Sequence, residues 1–224
     1  MSERHGDEKT HHGFRNLLFF LLLYIFGSPF LAPFPDLAVL AHASLSVALF
    51  FSIYAMQKRQ NYRSFAMVLL IPLLILYWLG IYNIISFSHL GSYLLFAVYF
   101  GLLVFSFASQ IIRSDRISLQ IIHATLCLYL VIGLFWGTLY TLLYELSPGA
   151  YAGALLENEA FTHLTTFNYF SMVTLTTLGY GDITPQTPGA GALCQLEAIT
   201  GQFYTAVVVA WLVGNFVSER RRQK

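Results

Sequence analysis

The residues of greatest chemical content in this chain stand together in one stretch, Thr174 to Pro185, reading TLTTLGYGDITP. It holds the hydroxyls of Thr174, Thr176 and Thr177, two glycines around Tyr180, and the carboxylate of Asp182. Glycine accepts backbone angles closed to other residues, so Gly179 and Gly181 allow successive carbonyls to be turned to one side. A column of such carbonyls presents hard oxygen ligands able to replace the hydration shell of a cation. One chain supplies one wall of the column, and a closed ring requires several copies about an axis.

The surroundings are strongly apolar. Of 224 residues, 57% are hydrophobic and 17% aromatic, against 10% charged; a soluble domain carries about 25% charged residues. Asp, Glu, Lys and Arg are absent from 16–35, 37–57, 64–112, 117–144 and 198–218. About 20 apolar residues carry a helix across the hydrocarbon core. The 64–112 tract is too long for one helix, and Asn83, Ser86, Ser88, His89, Gly91 and Ser92 break it into two joined by a tight turn. The pattern predicts six spanning helices, at 16–34, 37–56, 65–86, 90–112, 118–144 and 190–217.

The basic residues bear on that count. With six spans, both termini and the loops 57–64 and 113–117 share one side. That side holds Arg4, Lys9, Arg15, Lys58, Arg59, Arg63, Arg113, Arg116, Arg220, Arg221, Arg222 and Lys224, all 12 Lys and Arg of the chain. Positive residues stay cytoplasmic, so both termini are expected on the cytoplasmic side of a cell membrane. Ala41-His42-Ala43 resembles a signal-cleavage site only loosely, because the run from Arg15 is too long for a signal peptide; a retained first helix is expected. Residues 1–13, polar and His-rich, are expected to be disordered. Cys127 and Cys194 fall inside predicted helices and read as small apolar residues, not as a disulfide or metal pair. His42, His89 and His123 lack a second ligand at helical spacing, and a net charge of +1 gives no sign of a nucleic-acid partner.

Between the fifth and sixth spans lies an outer region, 145–189, which starts acidic (Glu145, Glu157, Glu159) and continues FTHLTTFNYFSMVTLTTLGYGD. A helix over 162–175 would be about 21 Å long, too short to span. It is expected to enter from outside, stop partway and return through the glycine-broken segment. Non-helical backbone at membrane depth is tolerated where it is buried in protein or lines a water-filled cavity. Leu178 to Gly181 are therefore expected to line a pore.

Thr177-Leu178-Gly179-Tyr180-Gly181-Asp182 resembles the selectivity filter of the tetrameric potassium channels, with Leu178 in place of the commoner Val or Ile. The resemblance covers about 118–217: outer helix 118–144, pore helix 162–175, filter 177–181 and inner helix 190–217. Thr174, Thr176 and Thr177 fit the pattern before the filter, and Tyr169-Phe170 stand where the family often has two tryptophans. Gly201, nineteen residues after Asp182, has the spacing of the family's hinge glycine, and LEAITGQFYTAVVVAWLVG resembles the inner helix of bacterial members. The resemblance implies an all-α integral membrane protein of six transmembrane helices plus a re-entrant pore helix and filter loop, a homotetramer around a central pore. It implies that the carbonyls of Thr177, Leu178, Gly179 and Tyr180, with the Thr177 hydroxyl, coordinate dehydrated K⁺. Tyr180 would turn outward against Tyr169 and Phe170, and the pore helix would aim its partially negative C-terminal end at the central cavity. The implied partners are K⁺, lipid and further copies of the chain, without nucleic acid or a cofactor beyond the permeant ion. Two departures stand out: the cuff is Tyr and Phe, and Val173 lacks the carboxylate that some bacterial relatives carry below the filter.

By this division, 1–15 is a cytoplasmic segment, 16–112 a four-helix region and 113–224 the pore domain. The fourth helix, 90–112, contains no Arg or Lys, so the first four helices are not a conventional voltage sensor. Glu197 is the one Asp, Glu, Lys or Arg in the middle of a predicted helix. Intramembrane carboxylates are costly; this one either holds the pore helix through hydroxyls such as Thr174 or takes part in gating. Gly201 is either a hinge or a close-packing residue. Asp182 either anchors the filter's outer end or is a solvated loop acid, and His163 faces outside as a candidate pH-responsive group. Two other functions compete. Gly179-Tyr180-Gly181-Asp182 also satisfies the GxGD pattern of intramembrane aspartyl proteases, but Asp7, Asp36 and Asp115, the other aspartates, fall in termini or loops. A weakly selective cation channel is the nearer alternative, although such a channel is expected to alter the Gly-Tyr-Gly core.

Overall fold

The computed structural model describes residues 2–31, 34–56, 60–82, 88–114, 118–157 and 162–222. Of the residues named above, Lys58, Arg59, Asn83, Ser86, Asp115, Arg116, Glu159 and Lys224 lie outside them. A helix satisfies its own backbone within one segment, which makes it the natural form of an apolar run in hydrocarbon. The helices are α1 (Ser2–Leu31), α2 (Pro35–Ala55), α3 (Gln60–Ile81), α4 (Ser88–Ile112), α5 (Leu119–Leu146), α6 (His163–Leu175) and α7 (Pro188–Arg222). Six of these, all but α6, are long and apolar enough to cross a membrane. The chain is a multi-pass membrane protein.

Several boundaries depart from the sequence reading, and α3, expected at 65–86, starts at Gln60. Helix α1 begins at Ser2, so the stretch expected to be disordered is helical and continuous with the apolar run; extending a formed helix needs no new nucleus. Ser88, His89, Gly91 and Ser92 belong to the start of α4 rather than to a turn, and Ser92 turns its hydroxyl back to the His89 carbonyl at 2.8 Å. Helix α7 runs on to Arg222, past the expected end at 217.

Capping accounts for several starts. Pro35 opens α2 at a position where its missing N–H costs nothing. Ser118 caps α5 by accepting from Ile121 N at 3.3 Å, and Thr162 caps α6 by accepting from Thr165 N at 3.2 Å. A two-residue antiparallel pair, β1 (Tyr151–Ala152) with β2 (Thr184–Pro185), ties the outer loop after α5 to the chain leaving the glycine-broken segment.

One apolar core runs from α1 (Phe14, Leu17, Leu21) through α2 and α4 (Leu49, Tyr99, Phe107) to α5 and the end of α6 (Val131, Leu134, Leu175). A second gathers Tyr140, Tyr151, Phe167, Phe170 and Ile183 beneath the outer loop. Phe65, Val68, Ile71 and Ile75 of α3 face outward, as lipid contact requires. Helix α7 differs from α5: 11% of its apolar window is buried within the chain, against 56% for α5. It meets α6 at Gly201, where an added Cβ would lie 2.1 Å from the Leu175 carbonyl oxygen. Gly201 is thus a close-packing residue here. Gly201→Ala is expected to push α7 off the end of α6, at about 1–3 kcal/mol, and to lower the melting temperature of the detergent-solubilised protein. Gly214→Ala, with open space around its Cβ, is the control and should melt like the wild type.

Candidate functional site

Helix α6 has 13 residues and stops at Leu175. Its last carbonyls are used at once: Thr177 N donates to Thr174 O at 2.9 Å, and Leu178 N to Val173 O at 2.9 Å. The chain then alternates. Thr177, Gly179 and Gly181 have φ of 60°, 59° and 77°, while Leu178 and Tyr180 between them stay at negative φ. An alternation of left- and right-handed backbone turns successive peptide planes so that their carbonyls line one side, instead of pointing to opposite sides as in a strand. A non-glycine residue at positive φ is uncommon, so Thr177 is held in place by its neighbours. Thr176 to Gly181 are exposed within the single chain, Leu178 at 55% and Tyr180 at 66%.

The segment is anchored at its outer end. Tyr169 donates from its phenol to Asp182 Oδ2 at 2.5 Å, and Ile183 N donates to Asp182 Oδ1 at 3.1 Å. Asp182 is therefore tied into the fold on both oxygens. Partial burial and the Asp182 carboxylate push the Tyr169 phenol up from 10.0 to about 12. A raised phenol pKa favours the protonated donor, so this contribution is complete below about pH 10 and is lost as pH rises through about 12. Phe170 turns into the aromatic cluster beneath the outer loop, its ring 5.1 Å from Tyr140 and 5.8 Å from Tyr151. Thr174 and Thr176 return their hydroxyls to their own helix, at Phe170 O (2.9 Å) and Met172 O (2.7 Å). Gln202 of α7 reaches the Thr177 hydroxyl at 3.4 Å, a contact the sequence reading missed. At the start of α6, His163 Nδ1 meets Glu145 Oε1 of α5 at 2.8 Å.

Glu197 is fully buried at a junction of three helices. Tyr140 of α5 and Ser171 of α6 hydrogen-bond its two carboxyl oxygens. Its partner on α6 is thus Ser171, not Thr174, because the Thr174 hydroxyl is committed to its own helix. Ser171 also lies 2.6 Å from Gly133 O of α5. A serine has one hydroxyl proton; where it goes to Gly133, the bond to Glu197 is completed by a proton on the carboxyl. Among the described residues no group of three or more His, Cys, Asp or Glu gathers in a metal-ligating cluster.

Residues 124–218 match the ion channel family model. The match takes in most of α5, all of α6, the alternating segment and α7 as far as 218, and supports an ion channel function in place of an enzyme. No curated protein and no solved structure matches the chain.

The Glu197 junction yields a direct test. Glutamine can donate to Ser171 and accept from Tyr140, so Glu197→Gln is expected to keep the fold and assembly. Glu197→Ala takes the carboxyl partner from the Tyr140 hydroxyl, at about 1–3 kcal/mol, while Ser171 keeps the Gly133 carbonyl. This substitution should lower the melting temperature by several degrees. An alanine variant that melts with the wild type would show the junction to be idle.

Proposed function

We propose that this ion channel is a potassium channel, built as a homotetramer with the Thr177–Gly181 carbonyls facing a central axis. The observation that carries the reading is the alternation of backbone sign over Thr177-Leu178-Gly179-Tyr180-Gly181, with an oxygen ligand at every step. Carbonyl rings suit a monovalent cation that sheds its water, and the partially negative C-terminal end of α6 adds to that preference. The carbonyls of Thr177, Leu178, Gly179 and Tyr180, with the Thr177 hydroxyl, are the proposed K⁺ ligands. Tyr169 and Asp182 hold the outer end, and Phe170 backs it. The exposed wall and the weakly buried α7 face support assembly about an axis. The twelve-to-none partition of Lys and Arg supports cytoplasmic termini in a cell membrane.

In bilayers with unequal K⁺ and Na⁺, the reversal potential is expected to follow K⁺. A reversal near zero in the wild type would instead assign the chain to the weakly selective cation channels. Gly179→Ala should abolish selective current, because a Cβ at φ 59° strains the backbone the carbonyl column needs. Assembly has its own check. Crosslinking in mild detergent is expected to run through to four copies, and a ladder ending at two would refute the tetramer.

A further inference from the structure

The first four helices have no charge ladder with which to sense voltage, yet they touch the helix that carries the filter segment. Tyr24 of α1 is 2% exposed and Asn168 of α6 is 7% exposed. The Asn168 carboxamide nitrogen donates to the Tyr24 hydroxyl at 3.1 Å, a bond joining residues 144 positions apart. The other end of the carboxamide is pressed against α5: Oδ1 has no partner among the described residues, and a Cβ on Gly137 would lie 2.4 Å from it. Asn168 is thus wedged between α1 and α5, its carboxamide making one hydrogen bond among the described residues, and the same Tyr24 hydroxyl also interacts with Thr165 of α6. Helix α1 is itself fixed. A Cβ on Gly13 would lie 3.2 Å from the backbone of Tyr54 and Ala55 in α2, and the Phe14 carbonyl accepts from the Cys127 thiol of α5 at 3.5 Å.

From Asn168 the path to the filter segment is short. One turn and a half along α6 is Val173, whose carbonyl receives Leu178 N at 2.9 Å and Gly179 N at 3.4 Å. A rotation of α6 about its own axis moves that carbonyl, and with it the two residues at the centre of the segment. We infer that Tyr24 is a positioning residue for ion conduction: its bond to Asn168 sets the rotation of α6, so that the first four helices act on the filter segment directly. This rests on the proposed reading of Thr177–Gly181 as the conduction path.

The experiment is single-channel recording of the full chain in bilayers, paired with melting of the same protein in detergent. Tyr24→Phe removes only the hydroxyl. It is expected to lower open probability roughly two- to tenfold, the size of shift one neutral hydrogen bond supplies, with unitary conductance unchanged. Tyr24→Phe combined with Asn168→Leu removes both polar groups, so melting should recover towards wild type while open probability stays low. Cys127→Ala loosens the same α1–α5 contact without reaching α6, and should shift melting alone. The inference is overturned where Tyr24→Phe gates like wild type, where the double variant recovers gating together with melting, or where Cys127→Ala lowers open probability as much. Should Tyr24→Phe fail to assemble, the double variant carries the test. A wild type with K⁺-selective current and indifferent variants sinks this inference alone; a wild type with no cation current sinks the reading beneath it.

Discussion

Hydrocarbon offers no hydrogen-bond partner, and each polar group left unpaired in it costs several kcal/mol. Many polar side chains in the described helices are arranged around that constraint in one of two ways. The short hydroxyls turn back on their own helix: Ser44 to Ala41 O, Ser52 to Leu49 O, Thr125 to Ile121 O, Thr138 to Leu134 O and Thr141 to Gly137 O. The longer groups reach a neighbour and so bind helices together. Tyr99 of α4 meets Ser52 of α2 at 2.7 Å, His42 meets Tyr77 of α3 at 2.7 Å, and Gln110 of α4 donates to the Ala55 carbonyl at the end of α2 at 3.1 Å. The same rule that makes six helices the only way through the bilayer also supplies much of what holds them side by side.

Helix α6 is where that rule cannot be met from within. Its carbonyls run out at Leu175, and the next six residues make no regular ladder. Their neighbours compensate at both ends. Below, Leu178 and Gly179 borrow the Val173 carbonyl, and Tyr129 of α5 donates to Leu175 O at 3.4 Å. Above, Asp182 takes two donors, the β1–β2 pair closes the exit, and Gln186 N donates to Ala150 O at 2.8 Å. Between these anchors runs the segment Thr177 to Tyr180, whose residues are exposed within the chain.

The spans and the ion channel character were legible because both depend on local signals: apolar length, the gaps between charges, and a glycine pattern with few alternative uses. The short helix expected over 162–175 matches α6 within a residue, and the hydroxyl of Thr162 caps it instead of belonging to it. What was not legible was pairing across the fold. Glu197 stood out as a buried carboxylate, but spacing pointed to Thr174, whereas the chain uses Ser171 and Tyr140. A lone serine in FNYFSM and a tyrosine in α5 carry no mark of meeting a glutamate on another helix. Tyr24 with Asn168, and Gln202 with Thr177, were hidden in the same way. The helical stretch from Ser2 was missed because polarity was read as disorder without regard to the formed helix that follows it.

Together, these pairings hold one face of α6 against three other helices. Tyr24 holds it from α1 and Ser171 joins it to Glu197 of α7. Gly133 and Gly137 let α5 approach so closely that Met172 and Asn168 fill the space a Cβ would take. Asn168, Ser171 and Met172 stand at i, i+3 and i+4, on one face of α6, so a rotation of α6 strains all of these contacts together. A short helix has little to hold it by itself, and its direction would otherwise be free to drift with every movement of the lipid-facing helices. The position of the Thr177–Gly181 segment is therefore a property of the whole chain: it follows from where α1, α5 and α7 meet α6, and only then from the glycines that shape the segment itself.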